Sequence, residues 1–205
     1  MPITHIIFDL DGVLIDATEW HYEALNKALA LFGHNISRHE HLSSYNGLPT
    51  RTKLEMLSVE KGLPRQLHGM LNRVKQSFTK IEIMTHCSPN FEKEYLLSRL
   101  KSEGYVLGVC SNSICSTLEM MLRQAALYSY FDLVLGNEDV SHPKPDPEIY
   151  LKAFQTLGCK PEDVLIIEDA PPGIAAARAS GARVCEVAGF DDVDYARVRS
   201  ALEEG

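Results

Sequence analysis

The sequence predicts an α/β chain: a parallel sheet interleaved with helices, interrupted after its first strand by an all-helical insertion. Three observations carry this expectation. Short apolar runs rich in β-branched residues, such as residues 3–10 and 105–110, sit between helical patterns. From residue 88 onward, strands and helices alternate at lengths that suit right-handed βαβ units. Between residues 17 and 85 the pattern is helical, with no strand signal.

Residues 3–10 form the first expected strand, ending in acid and glycine. Residues 17–33 read as a helix with Trp20, Ala24, Leu25, Ala28, Leu31 and Phe32 on one face and Gly33 as its stop. Helical pattern continues to about residue 85, broken near Gly47-Leu48-Pro49 and Gly62-Leu63-Pro64. Beyond Ser88-Pro89, residues 91–104 predict a helix closed by glycine and 105–110 a buried strand. Residues 114–127 predict a helix and 131–135 a strand. Asp146-Pro147 marks an N-cap followed by proline at the first helical position, opening a helix to Leu157. A strand over 164–167, a small-residue helix over 173–180 and a strand over 183–187 complete the pattern. The expected division is a core of residues 1–15 and 87–205, with 16–86 inserted.

With 205 residues, the chain suits one core plus a modest insertion. Its net charge is −8, which speaks against a nucleic-acid-coating protein, because neutralising phosphates needs a basic face. No apolar run has the length of a membrane span, and the N-terminus lacks the basic start of a signal peptide. Five scattered cysteines without a CxxC pair support neither a zinc site nor a disulfide framework, and read as reduced thiols in a cytoplasm. Small size and no obvious apolar patch favour a monomer. Residues 17–86 hold 9 Lys/Arg against 6 Asp/Glu, and the remainder 11 against 22, so the acidity belongs to the expected core.

In open parallel sheets, ligands bind at the carboxyl ends of strands. Four polar clusters fall there: Asp9 to Asp16 after the first strand, Ser111-Asn112-Ser113 after the second, Lys144-Pro145-Asp146-Pro147 after the third, and Glu168-Asp169 after the fourth. Any one of them has an ordinary explanation as a turn, a cap or a solvated charge. Together they gather Asp9, Asp11, Glu168 and Asp169 in one crevice, where like charges call for a hard divalent cation. Oxygen ligands in small number favour Mg²⁺. Lys144 would neutralise phosphoryl oxygens, Ser111 would hydrogen-bond one of them, and a carboxylate could attack phosphorus to give an aspartyl-phosphate.

The segments FDLDGVLID, SNS, the lysine of HPKPDPEIY, and IIEDAPPGIAAARASG resemble the four ordered motifs of the haloacid dehalogenase-like hydrolases. The resemblance is strongest to the β-phosphoglucomutase-like and phosphoglycolate-phosphatase-like members. It implies a Rossmann-like parallel core with a helical cap over 16–86 and phosphatase chemistry on a small phosphorylated metabolite. It further implies Asp9 as nucleophile and Mg²⁺ ligand. Asp11 becomes the acid and then the base, with its backbone carbonyl on the metal. Gly12 allows the tight turn. Ser111 and the Asn112 backbone N–H hold the phosphoryl group, and Lys144 ties it to the nucleophile. Asp169 ligates Mg²⁺, with Glu168 bound directly or through water. A second Asp at position 11 favours phosphate over halide or phosphonate chemistry.

Glu19-Trp20-His21 resembles the mutases' hinge Glu-Tyr-His, which makes His21 a candidate beside the substrate, with Gly47 and Arg51 of the cap loop. Lys53, like Arg51, reads by default as a solvated charge, with contact to substrate as the alternative. The cations with which the sugar-phosphate mutases grip a second phosphate are replaced by Asn46, Thr50 and Ile114. That favours a phosphatase over a β-phosphoglucomutase-type mutase. A non-catalytic binding module on the same fold is the alternative of another class.

Overall fold

The computed structural model describes residues 2–203. Its centre is β1 (His5–Phe8). Ile6 and Phe8 point into one apolar cluster and Ile7 into another, the period-two alternation of a strand buried on both faces. The chain leaves β1 into α1 (Thr18–Ala30), a short turn α2 (Arg38–Glu40) that runs into a π-helical turn over His41–Tyr45, α3 (Thr50–Lys61) and α4 (His68–His86). Leu25, Leu29, Tyr45, Leu54, Leu57 and Leu71 give this helical insert an apolar core of its own. Each such side chain, fully buried, contributes about 1.5–3 kcal/mol.

The chain then re-enters the α/β part. α5 (Phe91–Ser102) precedes β2 (Val106–Cys110), and α6 (Cys115–Gln124) precedes β3 (Leu133–Leu135). α7 (Glu148–Leu157), β4 (Val164–Glu168), α8 (Pro171–Ala179), β5 (Arg183–Glu186) and α9 (Tyr195–Glu203) follow. The five strands run parallel in the order β3-β2-β1-β4-β5. Phe8 pairs with Val109 on one side and Ile167 on the other, so the segments after β1, β2 and β4 emerge side by side. Among the described residues no helix is long and apolar enough to cross a membrane.

The structure corrects several expectations. α1 stops at Ala30, and Leu31 is 61% exposed while Leu29 takes the buried position. α7 begins at Glu148 with Pro147 as its N-cap residue, one position later than expected; Asp146 Oδ1 still accepts from the Glu148 N–H at 2.9 Å. The proline pair at 171–172 starts α8 two residues before the expected Gly173, because the first helical N–H groups need no intrahelical partner. α9 has no counterpart in the sequence reading.

Candidate active site

The carboxyl ends of β1, β2 and β4, the loop after β3 and the helical insert enclose a cavity of about 430 Å³. Its lining includes Asp9, Asp11, Ser111, Asn112, Lys144 and Glu168 from the α/β part. His21, Gly47 and Arg51 face it from the insert.

The floor is a buried ion network. Lys144, 3% exposed, donates from Nζ to Asp9 Oδ1 at 2.7 Å, to the Cys110 carbonyl at 2.7 Å and to Glu168 Oε1. The Tyr150 hydroxyl donates to the same Glu168 oxygen at 2.7 Å. Burial alone would lower the Lys144 ammonium, but Asp9 and Glu168 hold it above its ordinary value. Burial and the nearby Glu168 push Asp9 well above the usual carboxylate range. The same two causes push Asp169 up to about 7. Two glycines make the arrangement possible. A Cβ on Gly12, at φ +88°, would overlap the Asp169 carboxylate, and one on Gly173 would overlap Glu168.

Asp9, Glu168 and Asp169 each offer an oxygen within 4.8 Å of the others. Asp169 Oδ1 is buried with no hydrogen-bond partner among the described residues. Closely spaced oxygen donors, one of them orphaned, fit a hard divalent cation. The Asp11 carboxylate does not belong to this group, contrary to the expectation of four clustered acids. It turns toward the insert, where Oδ1 accepts from His21 Nε2 at 3.1 Å and Oδ2 from the Ser113 hydroxyl at 2.7 Å. Burial would raise its pKa, but His21 and Ser113 outweigh that and bring it to about 2. So two carboxylates two residues apart occupy opposite environments.

Ser111 is fully buried, and its Oγ accepts from the Ser113 N–H at 3.0 Å. The Asn112 side chain has a part the sequence did not show. Its Nδ2 donates to the Gly47 carbonyl of the insert at 2.8 Å and to the Lys144 carbonyl at 3.1 Å, and its Oδ1 accepts from the Lys144 N–H at 3.0 Å. Gly47, at φ +73°, passes so close that a Cβ would stand 2.9 Å from Ala170 Cβ. Arg51 is exposed at the cavity wall.

Sequence reasoning missed one cation overhead, Lys75, and read the other, Lys53, as solvated by default. Lys75 Nζ donates to His21 Nδ1 at 3.1 Å, which leaves the His21 Nε2–H for Asp11. Lys53, expected in solvent, is buried at the cavity wall. Burial, joined by the charge of Lys75, lowers Lys53 to about 7, and burial lowers Lys75 to about 8. Ser113, Tyr150 and Gly173 also escaped notice, although Ser113 and Gly173 lie inside the quoted motifs.

Residues 6–187 match the family of haloacid dehalogenase-like hydrolases. The chain is 30% identical over 178 residues to a phosphoglycolate phosphatase of Aquifex aeolicus, covering 87% of this chain and 81% of that one. It is 29% identical over 187 residues to the pyrophosphatase PpaX of Bacillus velezensis, covering 91% and 83%. In fold it is similar to a β-phosphoglucomutase from Clostridium difficile, at a TM-score of 0.85, 22% identity and 98% coverage of both chains.

Proposed function

The chain belongs to the haloacid dehalogenase-like hydrolases, and from that premise we propose that it is a Mg²⁺-dependent phosphatase that hydrolyses a small phosphomonoester through an aspartyl-phosphate. The observation that carries this reading is the convergence of Asp9, Asp11, Ser111, Lys144 and Glu168, from three strand ends and a loop, on one cavity. Curated relatives named as phosphatases of phosphoglycolate and of phosphorylated carbohydrates support it.

Asp9 attacks phosphorus, forming a carboxyl–phosphoryl bond as the ester P–O bond breaks. The leaving oxygen takes a proton from Asp11. Water then attacks the aspartyl-phosphate, Asp11 takes its proton, and Asp9 and inorganic phosphate are released. Asp11 is held ionised by His21 and Ser113; a phosphoryl dianion beside it raises its proton affinity, so its acid form belongs to the substrate complex. Lys144 and Ser111 align the phosphoryl oxygens against Asp9. Asp9, Asp169, Glu168 and the Asp11 carbonyl would hold Mg²⁺, which neutralises charge on the phosphoryl group. Residues 1–15 and 87–205 act as the catalytic core, and 16–86 as a cap that excludes bulk water during attack.

The test is release of inorganic phosphate from a panel of phosphomonoesters with Mg²⁺, after EDTA, and in Asp9→Asn. Asp9→Asn and EDTA should each abolish turnover while the fold remains intact. Appreciable hydrolysis by Asp9→Asn, or metal-independent turnover, would overturn the scheme. Conversion of β-glucose 1-phosphate to glucose 6-phosphate would identify a mutase instead.

A further inference from the structure

A second cavity, of about 300 Å³, shares no lining residue with the first and takes no part in the reaction just described. It lies where the chain crosses twice between the α/β part and the insert. Leu14, Ile15 and Asp16 border it on the way out, and His86, Cys87 and Ser88 on the way back. Its volume is at the small end of the range for ligand sites. One wall belongs to the α/β part and is fixed. Ala125 and Leu127 stand at the end of α6, where the Ala126 N–H bonds to the Arg123 carbonyl at 3.1 Å and the Leu127 N–H to the Leu122 carbonyl at 2.8 Å. Phe190 is held from behind: the Lys93 ammonium lies 4.1 Å from its ring centroid and donates to its carbonyl at 2.6 Å.

The other wall belongs to the insert. Trp20, in the first turn of α1, and His86, the last residue of α4, stack with ring centroids 6.2 Å apart. Movement of the insert on its two linkers therefore changes the spacing of the walls. The lining also has a definite chemistry. Aromatic and aliphatic side chains dominate it, and Asp16 is its one carboxylate. Asp16 is exposed and, among the described residues, makes no hydrogen bond or ion pair. Apolar walls beside one unpaired acid are complementary to a flat apolar ring that carries an ammonium group.

We propose that this cavity binds a small aromatic amine, with its ring between the two walls and its ammonium at Asp16, and that the bound amine holds the insert seated on the sheet. In this structure the insert is seated: Asn112 Nδ2 donates to the Gly47 carbonyl at 2.8 Å. A ligand that fits the cavity as it stands favours that arrangement by the difference in its affinity for the seated and lifted forms. Trp20 adjoins His21 on α1, and His21 Nε2 donates to Asp11 at 3.1 Å, so one helix joins the wall of the amine cavity to the catalytic floor. The binding of the amine is independent of the phosphatase reading; its effect on the floor rests on that reading.

Trp20 is the single tryptophan of the chain, so its fluorescence reports on this cavity. Phenethylamine should change the emission saturably. Phenylacetate, with the same ring and the opposite charge, should bind at least about tenfold more weakly. Asp16→Asn should bring the two within about twofold of each other. Ser88→Phe, at an exposed position of the lining, should block the cavity and abolish both responses while thermal unfolding stays cooperative. Equal affinity for the two probes, or a preference that survives Asp16→Asn, would overturn the site. The effect on the floor is read by calorimetry with inorganic phosphate and Mg²⁺. Saturating phenethylamine should tighten phosphate binding about fivefold or more, and phosphate should tighten phenethylamine binding by the same factor. A phosphate affinity unchanged by the amine would overturn the coupling. Absence of any phosphate binding, with the fluorescence response intact, would refute the phosphatase reading and leave the amine site standing.

Discussion

The floor and the roof of one cavity bury charge in opposite ways. On the floor, Lys144 is held by two carboxylates and a carbonyl, and each oxygen it touches has a place in a connected network. In the roof, Lys53 is buried to nearly the same degree and, among the described residues, touches no counter-ion. Burial alone therefore does not tell what a charged residue does; its partners do. Lys144 is fixed from three sides by its partners, and Lys53 has no such ties.

The sharpest way to break that contrast is to remove each ammonium. Lys144→Met leaves Asp9 and Glu168 buried without a cation, which costs about 3–5 kcal/mol and should lower the melting temperature by roughly 10 °C in a chain of this size. Activity should fall at least about 10³-fold through loss of phosphoryl alignment. Lys53→Met removes a charge at the cavity wall that no described counter-ion contacts, so melting should stay level or rise by a few degrees. Thermal scans of the two variants check the signs, and a parallel fall in both would erase the distinction.

Next in size is the dependence of Mg²⁺ binding on pH. Burial and Glu168 push Asp169 up to about 7. A carboxyl raised in this way stabilises the metal-free fold below its ordinary value, and that stability is lost as pH rises through about 7. Mg²⁺ must displace the proton below that point, so affinity should climb about tenfold per pH unit from 5 to 6 and level off above 7. Titration calorimetry in two buffers of different ionisation enthalpy would detect the released proton. An affinity flat across that range would remove Asp169 from the cation's shell.

Asn112→Ala should have a smaller effect, about tenfold in kcat/KM, because it cuts the ties to Gly47 and to the backbone of Lys144 without touching a charge. The smallest effect belongs to the exposed Arg38–Glu19 pair, 2.9 Å apart on the outside of the insert. Glu19→Gln should shift stability by less than about 1 kcal/mol, although Glu19 lies in a motif that resembles a hinge. A large loss of activity there would give Glu19 a role that its exposed position does not suggest.

The floor was legible in the sequence because its residues lie in short motifs at strand ends, where period-two burial and parallel topology dictate the direction of the next side chain. Asp9, Ser111 and Glu168 converge for that reason, and Lys144 reaches them from the loop after β3. The roof was not legible. Lys53 and Lys75 sit on amphipathic helices, where a lysine ordinarily reads as solvated, and only the packing of the insert over the sheet buries them. The turn of Asp11 away from the other acids was hidden for a related reason: its partner His21 lies on α1 and is oriented by Lys75 from α4. The small misses at Leu31 and α9 are local, arising where a helix ends three residues early or a weakly patterned C-terminal segment packs against α5.

Asn112 connects the two halves. Its carboxamide bonds at once to the insert at Gly47 and to both backbone groups of Lys144. Thermodynamic reciprocity then applies: whatever factor a seated roof contributes to the ordering of the Lys144 loop, an ordered Lys144 loop must return to the seating of the roof. A ligand that touches only one half would thereby bear on the other, through the neutral Asn112 carboxamide beside the His21–Asp11 bond.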